Sequence, residues 1–79
     1  MMRIEIRFSS IDAAVGERVE AEIRLPGATG IRRIEVLPDC AGVSIVGPSE
    51  FLIEEGGVAR VRFTCSVPGR GGITVVVKD

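Results

Sequence analysis

Residues 59–77 read ARVRFTCSV, PGRGG and ITVVV, and this stretch decides the fold class. Apolar residues alternate strictly with Arg, Arg, Thr and Ser through residues 59–67. Such a two-residue period is typical of a strand with one buried and one solvated face. The Pro- and Gly-rich residues 68–72 predict a turn, and the β-branched residues 73–77 predict a returning strand. The stretch therefore predicts a β-hairpin in an all-β protein.

The same alternation recurs along the rest of the chain, and Pro and Gly punctuate it at the expected turns. One helical candidate, residues 11–19, is interrupted by Gly16 and lacks an apolar stripe of helical width. Seven short strands at near-regular spacing predict an antiparallel β-sandwich, built as a single domain over residues 1–79. The predicted strands are residues 3–8, 17–25, 31–37, 43–46, 50–54, 58–67 and 72–78.

Composition narrows the classes of function. The chain is 46% hydrophobic with a mean hydropathy of +0.34, which is too apolar for a disordered segment and predicts apolar surface in an interface. A net charge of −1 argues against a general polyanion binder. The chain has no Asn or Gln, and Lys78 is its only lysine beside abundant Arg and Glu. These features predict a protein from a hot environment.

The residues needed for common catalytic and metal sites are missing. Without His there is no Ser–His or Cys–His pair, and two cysteines alone fall short of a zinc site. Glu54 and Glu55 are interpreted as a solvated strand end. The glycines of 68–72 have no following helix that could hold a phosphate. We expect a protein that is not an enzyme and that uses no cofactor, metal or small-molecule substrate.

Two further expectations concern the cysteines and the cell compartment. If the third and sixth strands are neighbours, Cys40 and Cys65 lie at opposite ends of the sheet, too far apart for a disulfide. The apolar stretches are short and interrupted by charges, which predicts no membrane insertion. The N-terminal residues 1–8 lack a signal-peptide core, so a native full-length chain is expected in the cytoplasm.

Arginine placement is the surface feature that points to binding. Arg60 and Arg62 share the outward face of the sixth strand, and a neighbouring third strand would add Arg33, with Lys78 at the flank and Glu35 partly neutralising the group. Such a face suits an acidic protein surface or a phosphate backbone. The competing interpretation is a solvated face of cross-strand charge pairs. An OB-like nucleic-acid-binding barrel is the alternative function, although few aromatic residues are available to stack bases.

The last strand also predicts self-association. With Ile73, Val75 and Val77 facing inward, Val76 is predicted to face outward on an edge strand. An apolar outward residue on an edge strand favours strand-to-strand or face-to-face contact. The sequence therefore predicts a homodimer.

Several segments resemble a known family: VGERVEAEIRLPG at residues 15–27, a third strand ending in Leu-Pro, and FLIEEGGVARVRFTCSVPGRGGITVVVKD at residues 51–79. They are similar to small prokaryotic immunoglobulin-like domains, and VPGRGGITV resembles the Pro-x-Arg-Gly turn in the Ig-like portion of membrane proteins associated with MoxR-type ATPases. The resemblance implies that the predicted fold is an antiparallel seven-stranded immunoglobulin-like β-sandwich. It also implies a non-enzymatic module acting through protein–protein contacts or assembly, and it supplies no catalytic residues. A β-grasp carrier is rejected, since it needs an early helix and a C-terminal Gly-Gly.

Overall fold

The computed structural model describes residues 1–78, which form seven β-strands and no helix. The strands are β1 (Glu5–Phe8), β2 (Arg18–Arg24), β3 (Arg32–Pro38), β4 (Val43–Val46), β5 (Glu50–Ile53), β6 (Val58–Cys65) and β7 (Ile73–Val77). The all-β prediction is confirmed, and the observed ends differ from the predicted ones by at most two residues.

The strands form two antiparallel sheets. The four-stranded sheet has the order β1-β2-β6-β4, and the three-stranded sheet has the order β5-β3-β7. Buried side chains from both sheets belong to one hydrophobic core, so the two sheets pack face to face. The buried core residues are Val19, Ala21, Ile23, Leu25, Ile34, Val36, Val43, Ile53, Ala59, Val61 and Phe63.

The pairing of β2 with β6 shows how alternation builds this core. Ala21 lies opposite Val61 and Val19 lies opposite Phe63, and all four side chains are buried. Residues between them in sequence point to solvent and carry charge. Burying a Val, Ile or Phe side chain contributes roughly 1.5–3 kcal/mol, so these pairs are a main source of stability.

The predicted hairpin of residues 59–77 is wrong. β6 pairs with β2 and β4, whereas β7 pairs with β3 in the other sheet. Residues 66–72 therefore cross between the layers, and both apolar faces meet in the core. The predicted pairing of the third and sixth strands is wrong for the same reason, because β3 pairs with β5 and β7. Alternation fixes which side of a strand is buried, but it does not choose the neighbouring strand.

One edge of the molecule is made by a segment that changes sheets. β4 pairs with the second half of β6, and β5 then pairs with the first half of β3. Only residues 47–49 separate these two short strands, and the amide of Val36 donates to the carbonyl of Ser49 at 2.7 Å. Both layers are thereby bordered by the same stretch of chain. We call this edge the closed side.

Candidate interaction site

The outward arginines of β6 are paired within the sheet. Arg62 lies opposite Glu20 and Arg60 lies opposite Glu22 in the β2–β6 register. The Nε of Arg62 is 3.5 Å from Oε2 of Glu20, and Nη2 of Arg60 is 3.3 Å from Oε2 of Glu22. Arg24 also contacts Glu22, at 2.6 Å. This arrangement supports the interpretation of a solvated face of cross-strand pairs, which contribute about 0–1 kcal/mol each.

Arg33 does not lie beside Arg60 and Arg62, so the predicted three-arginine face is wrong. Arg33 lies on β3, next to the fully buried Ile34 and therefore on the outer face of the three-stranded sheet. Its register partner is Leu52 of β5. The arginines thus occupy opposite outer faces of the two-layer structure. A partner-binding role for Arg33, Arg60 or Arg62 stays a prediction.

Lys78 belongs to the outer face of the three-stranded sheet and does not flank the β6 arginines. Its Nζ lies 3.1 Å from Oε1 of Glu50 and 3.1 Å from Oε1 of Glu35. These two glutamates are directly opposite each other in the β3–β5 register, where like charges repel. The hydrogen bonds to Glu50 and Glu35 raise the pKa of Lys78. Lys78 therefore neutralises an unfavourable pair across three strands.

The side opposite β4 and β5 is built differently. Residues 47–49 span at most about 14 Å, only slightly more than the roughly 10 Å between stacked sheets. β4 and β5 must therefore border the same side, which places β1 and β7 together on the other. Counted from the closed side, the four-stranded sheet extends one strand beyond the three-stranded sheet. Among residues 1–78, no strand lies opposite β1. We call this edge the open side.

Inward side chains at the open side are incompletely covered. Ile6 and Phe8 of β1 lie opposite the fully buried Ile23 and Ala21, so they face the core. Phe8 is nevertheless 41% exposed, although its ring packs edge-on against Phe63 at a centroid distance of 6.1 Å. The preceding Ile4 is 46% exposed. On β7 the inward residues Ile73, Val75 and Val77 are only half-buried.

The same residues direct their backbone groups away from the sheets. In an antiparallel ladder, alternate residues bond to a given neighbour. The amides of Arg3 and Ser9 donate to β2-side carbonyls, so Ile4, Ile6 and Phe8 face the free edge. The amide of Lys78 donates to Arg33, and the carbonyl of Gly72 accepts from Asp39. By the same alternation, Ile73, Val75 and Val77 present their N–H and C=O groups at the free edge of β7.

An apolar cleft of about 500 Å³ continues from the open side past the end of β1. Exposed Ile11, Val15 and Val67 line it together with Phe8. A second cleft of about 330 Å³ lies between residues 25–30 and 54–57. Arg32 lines this second cleft, and its buried Nε has no hydrogen-bond partner.

Among the residues that the structure describes, no group of three or more Cys, Asp or Glu side chains could hold a metal ion. Cys40 and Cys65 are free thiols packed against the core. Their predicted placement at opposite ends is wrong: Cys40 precedes β4, and Val43 of that strand pairs with Cys65. Within residues 1–78, no helix is long and apolar enough to cross a membrane.

The predicted edge position of the last strand is confirmed, because β7 ends the three-stranded sheet. Reasoning from the sequence missed that β1 has no strand facing it among residues 1–78. The alternation of β1 and β7 was visible, but the number of strands that would cover them was not. Comparisons with protein-family models, with curated proteins and with solved structures found no match for this chain.

Proposed function

We propose that this protein is a non-enzymatic, immunoglobulin-like assembly module that binds another polypeptide by β-strand addition at its open side. The observation that carries the proposal is that the same residues have incompletely covered apolar side chains and backbone groups that face a free sheet edge. These residues are Ile4, Ile6 and Phe8 at the β1 edge and Ile73, Val75 and Val77 on β7.

The strand order supports the immunoglobulin-like assignment. In that fold, strands A, B, E and D form one sheet and strands C, F and G form the other. The order β1-β2-β6-β4 corresponds to A-B-E-D, and the neighbours β3 and β7 correspond to C and F. β5 is an additional strand on the outer edge of β3. The position beside β7 corresponds to strand G, and no strand among residues 1–78 fills it.

An added strand would meet both requirements of the open side. Its backbone would complete the ladder of β7, which supplies affinity with little dependence on sequence. Its alternate side chains would enter the space below β1, so specificity would favour apolar residues at every second position. A strand added at a free edge is also the contact that unprotected edges form most readily.

The outer faces offer weaker support for the nucleic-acid alternative. Phosphate contacts by Arg60 and Arg62 would have to compete with Glu20 and Glu22, which already hold both guanidinium groups. Binding of that kind weakens steeply with salt. A filter-binding titration with single- and double-stranded oligonucleotides distinguishes the two, because strand addition to apolar side chains responds little to salt.

The proposal is tested by selecting peptides from a random phage-displayed library against the protein immobilised at low density. Enriched peptides are expected to alternate apolar and polar residues, and to slow hydrogen exchange at the amides of Ile73, Val75 and Val77. The change Val75→Pro deletes an edge N–H that bonds to no strand of residues 1–78, and it is expected to abolish binding. The variant Arg60→Glu/Arg62→Glu should bind normally. Peptides that instead protect the β2–β6 face would overturn the proposal.

A further inference from the structure

We infer that the open side is closed by a second copy of this chain, in a reciprocal dimer in which β1 of each copy pairs with β7 of the other. This inference rests on the proposed function and names the partner. The four-stranded sheet extends one strand beyond the three-stranded sheet. The projecting strand of one copy therefore has the width of the gap in the other.

The shape of the open side excludes the simpler pairing of β7 with β7 of a second copy. Antiparallel pairing of identical strands needs a two-fold axis perpendicular to the sheet, which places both four-stranded sheets on the same side. The projecting β1 of each copy would then occupy the space of the partner's β2. The gap beside β7 is one strand wide, so it can hold one added strand but not both layers of a second copy.

A two-fold axis parallel to the strands removes this clash. It brings the partner's four-stranded sheet into the plane of the three-stranded sheet, directly beside β7. Rotation about an axis parallel to the strands leaves the direction of every strand unchanged. If the layers stack as an immunoglobulin-like pair, the antiparallel pairings of β1 with β2, β2 with β6 and β3 with β7 make β1 run opposite to β7. The new junction is therefore antiparallel, and both inner faces remain inside.

The two edges match residue by residue. In one register Ile4 lies opposite the partner's Val77, Ile6 opposite the partner's Val75, and Phe8 opposite the partner's Ile73. All three residues on each strand have edge-facing backbone groups, so each pair exchanges about two hydrogen bonds. All six side chains point inward. Cross-strand pairs of β-branched and aromatic residues are among the favourable pairs in antiparallel sheets.

The dimer would turn two incomplete layers into two continuous seven-stranded sheets. β1 of one copy would lie over β1 of the other, which covers Ile4 and Phe8. The interface is isologous and closed, the commonest symmetry among soluble oligomers. Two strand junctions and the covered apolar face are expected to bury more than about 1,000 Å², the lower range of specific interfaces.

The first test is the mass in solution by size-exclusion chromatography with light scattering. At micromolar concentration the expected mass is twice the 8.4 kDa of one chain. Hydrogen exchange should protect the amides of Ile6 and Val75 in the dimer and release them on dilution. A monomer at every concentration, with peptides still bound at β7, would overturn the dimer while leaving the proposed function intact.

The second test uses proline to delete one edge-facing amide on either strand. Ile6→Pro and Val75→Pro each damage both junctions of a homodimer, and each should raise the dissociation constant roughly thirtyfold or more. Leu52→Pro is the matched control, since it deletes an edge-facing amide of β5 on the closed side. It should leave the dissociation constant unchanged.

Mixing the two variants gives the decisive outcome. A chain with Ile6→Pro retains β7, and a chain with Val75→Pro retains β1, so the mixed dimer has one intact junction. Mixing is expected to restore dimers that neither variant forms alone, detected by differential labelling. If Ile6→Pro alone leaves dimerisation unchanged, or if mixing restores nothing, the reciprocal arrangement is wrong. Circular dichroism of each monomer confirms that the variants remain folded.

Discussion

Similar apolar residues are buried on the closed side of this two-layer structure and partly exposed on its open side. On the closed side, Val43 is 7% exposed and Ile53 is 3% exposed, although both lie on short edge strands. On the open side, Ile4 and Phe8 are 46% and 41% exposed. The difference comes from the opposing layer. On the closed side, β4 at the edge of one sheet is matched by β5 at the edge of the other, whereas β1 has no strand facing it among residues 1–78. Burial at an edge therefore depends on strand number as much as on side-chain chemistry.

The two sides also differ in how their edges resist pairing. The closed side has four-residue strands, a proline at position 48 between them and Glu50 at the start of β5. Short strands, charges and proline discourage pairing with another chain. On the open side β1 is equally short and carries Glu5 and Arg7, whereas β7 reads Ile-Thr-Val-Val-Val, with no charge and no proline. This composition is typical of strands that pair readily.

The largest loss of stability should come from truncating a side chain in the core between the closed and open sides. Ile34 is fully buried, so Ile34→Ala is expected to lower the free energy of unfolding by about 2–5 kcal/mol. The matched change Ile4→Ala on the open side should cost less than about 1 kcal/mol in the monomer, since much of that side chain is already in water. Urea denaturation at low protein concentration measures both. Equal losses would contradict the described difference between the sides.

A smaller effect is expected where the N-terminal segment meets the turn after β2. Gly27 has a φ of 85°, and a Cβ there would collide with the backbone carbonyl of Met1. Gly27→Ala should cost about 1–3 kcal/mol and release residues 1–4 from their position beside the open side. Gly16→Ala is the control, because Gly16 has a φ of 84° and open space around it. If both variants lose the same stability, contact with Met1 is unimportant.

The charge pairs on the outer face should matter less still. Arg60→Glu/Arg62→Glu replaces two cross-strand attractions by repulsion against Glu20 and Glu22, and about 1–2 kcal/mol of stability should be lost. Adding Glu20→Arg/Glu22→Arg should recover most of it. Thermal unfolding measures stability, and light scattering should show dimerisation unchanged. Dimers lost without any loss of stability would move the interface from the open side to this face.

The smallest effect is expected from Lys78. Its pKa is raised by Glu50 and Glu35, so its contribution to folding is complete below its unfolded pKa of 10.5. The contribution is lost as the pH rises through the higher pKa of the folded state. Lys78→Met should therefore lower the Tm slightly at neutral pH, and the difference from wild type should vanish in strong alkali. A difference that persists there would mean that the lysine acts through packing.

Local periodicity predicted the strands well because inside and outside alternate within a single strand. The predictions for residues 43–46 and for the interior of β2 needed no tertiary information. Strand partners depend on contacts far apart in sequence, and the sequence pattern is silent about them. Placing the strand of Arg33 beside that of Arg60 was wrong for that reason. The cytoplasmic location and the hot environment stay predictions.

The candidate site was harder to predict than the fold. The outward positions of Arg60 and Arg62 could be predicted from the sequence, but their partners on β2 depend on the register between β2 and β6. Ile4 and Phe8 looked like ordinary inward residues. Their exposure follows from an unequal number of strands in the two layers, and that property belongs to the whole molecule.

The segment that changes sheets at residues 47–49 also determines the valency of the protein. By bordering both layers at once, it leaves only short, interrupted edges on one flank, whereas on the other flank the free edges of β1 and β7 match each other within residues 1–78. A module with one such flank can pair with one partner, and after pairing it has no matched free edges for another. Assembly by strand addition therefore ends at a closed pair, and open-ended fibres, the common hazard of an unprotected edge strand, do not grow.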